Sequence, residues 1–488
     1  MLLRLEKSLF LILLFSIPFQ TRVFLWSAGA IEGFNEWQSA FLYGTDILVL
    51  ILFSLLIMRV GVISLFHAAA RSFREIYPRS LTKNDSGYSL RSETVPSGKT
   101  FFYSLRGFLS SVAPSRLRRN KLIIPTLILG LLMFFAFLSI FSAPYAGVGV
   151  YRVLKLAEFI GLFFYTIYIL KKIKFEHAAF AFVLGGIFQA IIGVTQFFTQ
   201  RSLGLKLLGE SPLAAGRSEV AEFVAFGSRF MRAYGTFPSP NVLAAYLALA
   251  ILFLILWHVD RKSITQKEKI FSWQAIILIS FTLLLTFSRA PIAVFSWVFV
   301  FLLVNFARRP MRRYIKKLFA VLTPLFAGVL TMTVMFWPEI YSRIFTTFAE
   351  GDFALKERVF FNNLSFQIIS DNLRGIGIGN YTLFLREQFW GLRDSLYQPV
   401  HNIFLLNFAE LGILGGGMFL LFCLYTMFLG FKMVKNIPSS ENIIIFTAFL
   451  FVIVSGFFDH FYMTLQQGML MFWVITAMLY NKIGLTKT

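Results

Sequence analysis

One cysteine in 488 residues, Cys423, excludes an intramolecular disulfide and a cysteine-held metal cluster. Charge is scarce as well. Asp, Glu, Lys and Arg make up 14% of the chain, against about 25% in a soluble domain, so no water-facing surface can surround the whole molecule. Acidic residues are the scarcer sign, 24 against 46 Lys and Arg, which leaves a net charge of +22. Hydrocarbon fills the space instead. Apolar residues reach 57%, with 61 phenylalanines. Long apolar runs recur from end to end, the pattern of an all-α polytopic integral membrane protein.

The runs predict about twelve transmembrane helices, at 8–26, 45–66, 122–142, 151–170, 178–199, 241–257, 271–287, 290–306, 318–337, 402–430, 442–459 and 466–481. Ser288-Arg289-Ala290-Pro291 splits what would otherwise be one overlong helix with an arginine in its middle. Ser27-Ala28-Gly29-Ala30 resembles a leader-cleavage site, but Gln20, Thr21 and Arg22 interrupt the run before it, so the first run is read as a span. The whole of 1–488 then forms a single membrane domain.

Charge sets the expected orientation. With both termini cytoplasmic, 31 of the 46 Lys and Arg, but only 8 of the 24 Asp and Glu, fall on the inner side. The basic excess therefore faces anionic lipid headgroups, and a nucleic-acid partner is not implied. Three loops exceed a turn. Residues 67–121 form a basic cytoplasmic loop, rich in Ser, Arg and Lys and expected to be partly disordered. Residues 200–240 and 338–400 form extracytoplasmic loops carrying aromatics, prolines and glycines. In the second, Phe360, Leu364 and Ile368 recur every four residues and predict an amphipathic helix.

Three motifs are set aside. Ser97-Gly98-Lys99-Thr100 lacks the glycine that a phosphate loop needs five residues before Gly98, where Glu93 stands. Gly375, Gly377 and Gly379 read as a tight turn more readily than as a phosphate cradle. Gly412 and Gly416, four apart, read as close helix packing.

Five histidines are present. His67, His177 and His258 sit at inner helix ends among basic residues, whereas His401 and His460 lie outside. His401 follows Pro399 where the long loop re-enters the membrane. The positive end of a helix dipole favours its neutral form, the form that takes a proton. Catalysis and helix-start capping both fit this position. Arg232 opens Arg232-Ala233-Tyr234-Gly235-Thr236-Phe237-Pro238-Ser239-Pro240-Asn241, and Arg289 lies in the turn between spans seven and eight. Either arginine could snorkel to headgroups, or the two could clamp a phosphorylated substrate. Arg152, Lys155 and Glu158, at steps of three, share one face of span four. A local Lys155–Glu158 pair is one reading, and a basic lining made by Arg152 and Lys155 is the other. Asn402, Glu410, Asp459 and His460 are secondary candidates. Nothing in the sequence sets a metal-ligand geometry for them, so neither a metal nor any other cofactor is expected.

Four segments, in order, resemble the O-antigen ligase and O-antigen polymerase superfamily, bacterial membrane glycosyltransferases of the GT-C type. They are Arg232–Asn241, Thr286–Arg289, Asn372–Tyr381 and His401–Gly415. The resemblance covers about 150–420, and Ser239 departs from it where the family often has Asn. It implies about twelve helices with a large extracytoplasmic loop before the histidine. It also implies glycan transfer from a polyprenyl (undecaprenyl) diphosphate carrier to an acceptor hydroxyl on the outer face of the cytoplasmic membrane. The acceptor would be lipid A-core, a growing glycan or another hydroxyl. By this resemblance His401 is the general base, and Arg232 and Arg289 hold the diphosphate. The residues independently suit such chemistry: two guanidinium groups can neutralise a departing diphosphate, and an imidazole can assist a hydroxyl near neutral pH. Inversion without a metal is the expected course. A polysaccharide transporter or lipid-linked glycan flippase is the alternative, and it predicts internal repeats and interrupted helices at the midplane. A peptidoglycan-polymerase reading would instead need an outer carboxylate, for which Glu350, Asp352, Glu357 and Asp371 are available.

Overall fold

The computed structural model describes the chain except residues 29–35, 77–115, 218–219, 226–227, 262–263, 309, 339–340, 342–352, 390–395 and 485–488. Most of the basic loop 67–121, the Ser97–Thr100 segment, Glu350 and Asp352 therefore lie outside the described residues.

The described chain is mostly helical. Helix α1 spans Leu2–Ser16 and leads into a hairpin of β1 (Arg22–Ser27) and β2 (Ser39–Tyr43). Helices α2 (Gly44–Ile76), α3 (Arg116–Ser139), α4 (Ala146–Ile169) and α5 (Phe175–Thr199) follow. A second short hairpin, β3 (Glu222–Ala225) and β4 (Ser228–Met231), precedes α6 (Pro240–Asp260). Next come α7 (Gln266–Leu285), α8 (Arg289–Ala307) and α9 (Ile315–Met335). The long loop contains α10 (Phe353–Asp371) and α11 (Tyr381–Gln388). The chain closes with α12 (Ile403–Asn436), α13 (Ser440–Ser455), α14 (Phe461–Thr464) and α15 (Gln466–Ile483).

Among the described residues, eight helices are long and apolar enough to cross a membrane: α2, α3, α5, α6, α7, α8, α9 and α12. The protein is thus a multi-pass α-helical membrane protein. The other bundle helices are shorter or more polar. Helix α1 has 15 residues, a length of about 22 Å against a hydrocarbon core of about 30 Å. Helix α4 carries Arg152, Lys155 and Glu158, and α15 buries Gln466, Gln467 and Asn481.

Helix α6 is the axis of the bundle. Every residue from Val242 to Val259 is buried, enclosed by α5, α7, α8, α9 and α13. Its sequence is apolar on nearly all sides, in keeping with a helix that has no solvent face. Lipid-facing residues are concentrated on peripheral helices, for example Ile47, Leu50 and Ile51 on α2 and Leu127, Leu131 and Phe134 on α3.

Three expectations change. The first apolar run does not form one helix over 8–26: α1 ends at Ser16, and Arg22–Ser27 is a strand. In α10, Phe361, Leu364 and Ile368 face inward while Phe360 is exposed, so the buried face begins one residue later than the four-residue spacing suggested. Gly412 does not pack a helix but breaks one. With φ 72° and ψ −177° it divides α12 into a short segment ending at Leu411 and a long one starting at Ile413.

That break receives the glycine-rich turn. Ile376 and Gly377 donate their N–H groups to the carbonyls of Ala409 (2.9 Å) and Glu410 (3.0 Å), and Ile413 N–H reaches Leu373 O (3.0 Å). Groups freed by the broken helix are thereby satisfied inside the protein, the condition for a helix break at membrane depth. The approach tolerates no side chain. A Cβ on Gly375 would lie 2.4 Å from Glu410 O, and one on Gly412 2.4 Å from Arg374 C. Around this dock, Phe361, Leu364, Ile368, Ile376, Tyr381, Leu385, Tyr397 and Val400 form a small core with Leu405, Leu406 and Ala409. The described part of the long loop is thus packed onto the first turns of α12.

Candidate active site

The loop bearing Arg232 is held from below by two buried glutamines of α5. Gln189 Oε1 accepts from Thr236 N (2.8 Å), and Gln196 Oε1 accepts from Gly235 N (2.8 Å). Gly235, at φ 64°, makes the turn, and Pro240 opens α6, where a missing N–H costs nothing. Arg232 is then fixed by three contacts: Nε donates to Thr286 O (2.5 Å), and Nη2 donates to Ser288 Oγ (2.8 Å) and Asn241 Oδ1 (3.4 Å). Its partners come from the Thr286–Arg289 segment, so two of the quoted segments meet at one guanidinium. Ser288 precedes the first residue of α8, Arg289, which is exposed. Between Thr286 and Ser288, Phe287 holds a left-handed backbone (φ 46°), sparsely populated for a bulky residue, with its ring stacked on Phe223 at 4.0 Å.

Asn241 passes the chain of contacts onward. Its Nδ2 donates to Asp459 Oδ2 at 3.2 Å, while Asp459 Oδ1 accepts from His460 N at 2.8 Å. The His460 ring lies 5.2 Å from the His401 ring, centroid to centroid, tilted by 62°. Trp37 covers the His460 ring at 5.7 Å, and His460 Nδ1 is 2.7 Å from Thr464 Oγ1. Arg232, Asn241, Asp459, His460 and His401 therefore form one continuous strip, with Arg289 one residue beyond Ser288.

His401 does not cap α12. Asn402 does so, its Oδ1 accepting from Phe404 N (2.9 Å) and Leu405 N (3.2 Å). Nδ1 of His401 is buried without a hydrogen-bond partner. Burial lowers the His401 pKa below its ordinary 6.5; Asp459 and Glu357 oppose the shift and Arg358 adds to it. His460, more deeply enclosed, falls to about 3, chiefly through burial. Both imidazoles are neutral at pH 7. Glu357 and Arg358 belong to α10, and Glu357 accepts from Gln398 Nε2 at 2.9 Å, so the long loop contributes to the field at His401.

Arg152, Lys155 and Glu410 stand apart from this strip, across Trp37 and Thr464. Arg152 donates to Thr464 O (3.3 Å) and Trp37 O (3.5 Å), and its stem packs where Gly379 has no side chain. Together with Glu410, Asn407, Thr382 and Thr464 it lines a narrow cavity of about 70 Å³, large enough for ordered water. Lys155 is matched internally. Its ammonium pairs with Asp46 (2.5 Å) and Glu158 (3.2 Å) and donates to Gln466 Oε1 (3.1 Å). The local Lys155–Glu158 pair is present, with Asp46 added from α2. Among the described residues, no three His, Cys, Asp or Glu side chains converge as metal ligands.

Sequence reading had assigned no role to Asn241, Trp37 or Asp46. Asn241 ended a quoted segment, and that was the only available signal. Trp37 and Asp46 lie in an N-terminal region with no motif, and the site residues they meet, Arg152, Lys155 and Gln466, are more than 100 residues away.

A family model described as O-antigen ligase matches residues 274–420. The matched stretch includes Thr286–Arg289, Asn372–Tyr381 and His401–Gly415, and leaves Arg232, Asn241, Asp459 and His460 outside. No curated protein matches the chain.

Proposed function

We propose that the protein, whose residues 274–420 match a family model described as O-antigen ligase, is a GT-C-type membrane glycosyltransferase that uses a polyprenyl (undecaprenyl) diphosphate-linked glycan. Transfer takes place on the outer face of the cytoplasmic membrane, onto lipid A-core, a growing glycan or another hydroxyl. Its membrane-spanning helices leave both termini in the cytoplasm and present loops 200–240 and 338–400 to the outside.

Arg232 and Arg289 hold the diphosphate. The contacts of Arg232 to Thr286 and Ser288 fix the plane of its guanidinium and keep it beside the start of α8, where Arg289 lies. The acceptor hydroxyl gives its proton to His401 as its oxygen bonds to the anomeric carbon. The bond from that carbon to the diphosphate breaks on the opposite face, and the electron pair leaves with the diphosphate, inverting the centre. Charge growing on the leaving group is met by the guanidinium groups, and charge growing on His401 by Asp459. No protein carboxylate acts as a nucleophile, and the cationic side chains take the place of a metal. Arg152 is a further contact for an anionic headgroup; Lys155 is already held by two carboxylates.

The observation that carries this reading is the strip from Arg232 through Asn241 and Asp459 to His401. It joins segments separated by as many as 218 residues, and it links the His401 imidazole, through His460, Asp459 and Asn241, to the guanidinium of Arg232. Purified protein in proteoliposomes with a labelled lipid-linked glycan and an acceptor supplies the test. His401→Ala should fold normally and lose transfer by about 10²–10⁴-fold, the usual contribution of a general base. A variant within threefold of the parent would remove His401 from the mechanism.

One observation speaks for a flippase: α12 is interrupted at Gly412, as transporter helices are at substrate sites. Its freed backbone groups are occupied by Leu373, Ile376 and Gly377, so they are not displayed to a translocating ion, and the transferase reading is preferred.

A further inference from the structure

The hairpin between α1 and α2 has the wrong surface for water. In β1, Val23, Phe24, Leu25 and Trp26 are 64%, 53%, 51% and 38% exposed. The alternation of an ordinary half-buried strand is missing, and the register also shifts between Phe24 and Trp26. The partner strand faces inward: Ser39, Ala40, Phe41 and Tyr43 are buried, and Phe41 and Tyr43 help wall a small polar pocket with Tyr151, Arg152 and Thr464. One strand thus faces the protein and the other faces away from it.

An isolated two-stranded hairpin is marginal in water, and four contiguous exposed apolar residues would weaken it further. The surroundings identify what covers them. The base of the hairpin is closed by Gly44 N–H on Thr21 O (2.8 Å) at the start of α2, and Trp26 lies over Gly147 at the start of α4. Both helices carry their exposed apolar surface directly onward, through Ile47, Leu50 and Ile51 on one side and Val150 and Leu154 on the other. The apolar strand is therefore continuous with the lipid-facing belt. Its polar load is handled internally. Arg22 pairs with Glu36 and lies 4.2 Å over the Phe41 ring.

Depth follows from the backbone. The sheet has two strands. The outer edge of β2 is met by the protein, since the Tyr151 hydroxyl accepts from Phe41 N–H (3.3 Å) and donates to Phe41 O (2.9 Å), while the outer edge of β1 lies outside the ladder on the apolar side. An open sheet edge is not tolerated against hydrocarbon, where an unpaired N–H or C=O group is costly. The side chains call for acyl chains while the edge calls for water or headgroups, and only the headgroup–acyl boundary supplies both.

We propose that β1 is a membrane-docking element that lies in the headgroup–acyl boundary of the leaflet at this end of the bundle, with Val23–Trp26 turned into the acyl chains. It forms the wall between the bilayer and the Arg152 pocket.

Depth-dependent quenching tests this independently of catalysis. In full-length protein carrying Cys423→Ala, Phe24→Cys is labelled with a small fluorophore and reconstituted into phosphatidylcholine–phosphatidylglycerol vesicles. The lipids carry a nitroxide at the headgroup, at acyl carbon 5 or at acyl carbon 12. The strongest quenching is expected from carbon 5, with weak quenching by aqueous iodide. Iodide quenching without lipid quenching would overturn the proposal by showing a solvated hairpin. Strongest quenching from carbon 12 would overturn the interfacial depth, and protection from both would show a protein contact instead. Leu25→Cys provides the same measurement if Phe24→Cys does not fold.

Discussion

The unpartnered Nδ1 of His401 and the low pKa of its ring make a definite statement about pH. Because burial holds the folded pKa below 6.5, the neutral base persists below the pH at which a free imidazole would be half protonated. Transfer should be flat from pH 7 down to 6.5 and should fall only at lower pH, as read from initial rates in a pH series. Asp459 is the main group opposing that shift. Asp459→Asn should therefore move the acid limb to still lower pH, while also loosening the tie to Asn241. An acid limb that moves upward would show that Asp459 does not act on His401 through its charge. Stability has the same sign. His401 and His460 bind protons more readily unfolded than folded, so their contribution is complete above about pH 6.5. It is lost progressively as pH falls, for His460 down to about 3. Lys155 makes a contrasting prediction. Its side chain is 6% exposed between Asp46 and Glu158, so Lys155→Met strands two carboxylates and should cost about 3–5 kcal/mol, seen as a lower unfolding temperature in detergent. Transfer per folded molecule should change little; a selective loss of donor binding in a normally stable variant would return Lys155 to the anion site.

At the scale of elements, the turn at Gly375–Gly379 and the break at Gly412 are one construction, and each should fail without the other. Gly412→Ala meets the backbone of Leu373 and Arg374 and requires φ 72° of a residue with a side chain. A loss above about 1–3 kcal/mol is expected, together with protease sensitivity in the long loop. An alanine variant that is as stable and as protease-resistant as the parent would mean that the dock is not a fixed part of the fold. This construction also marks where sequence reading stops. Glycines four apart look the same whether they pack a helix or break one, because the difference lies in what approaches them. Helices α2 to α9, α12, α13 and α15 each overlap an apolar run that hydropathy locates, although α2 continues to Ile76, well past the expected end at 66. The first run misleads because Val23–Trp26 is as apolar as a span, yet follows Gln20, Thr21 and Arg22 into a strand. Arg232, Arg289 and His401 stood out as lone polar groups at span ends, whereas the Asn241–Asp459 contact crosses 218 residues and leaves no local mark.

At the scale of the whole molecule, the sign of the surface charge at each end of the bundle should fix orientation. Placing both termini in the cytoplasm predicts that a cysteine added after Thr488, in a Cys423→Ala background, is labelled by an impermeant reagent only after the inner membrane is opened. Labelling in intact spheroplasts would invert the assignment and place His401 on the cytoplasmic side.

Helix α6 has a consequence for how the protein is made. In the finished bundle it touches no lipid, since Val242–Val259 are buried throughout, yet it is apolar on nearly every side and could have tolerated polar groups facing its neighbours. Helix α15 does tolerate them, burying Gln466, Gln467 and Asn481. The difference matches their order of synthesis. When α6 leaves the ribosome, α7, α8, α9 and α13 do not yet exist, and it must partition into the bilayer largely on its own composition. Helix α15 is made after all of these, and it enters a bundle already able to receive its amides. The nearly unbroken hydrocarbon of α6, relieved by the Tyr246 hydroxyl and by His258 near its end, suits the lipid that such a helix enters first, and polar substitutions there should lower the yield of inserted protein more than they disturb the molecules that complete assembly.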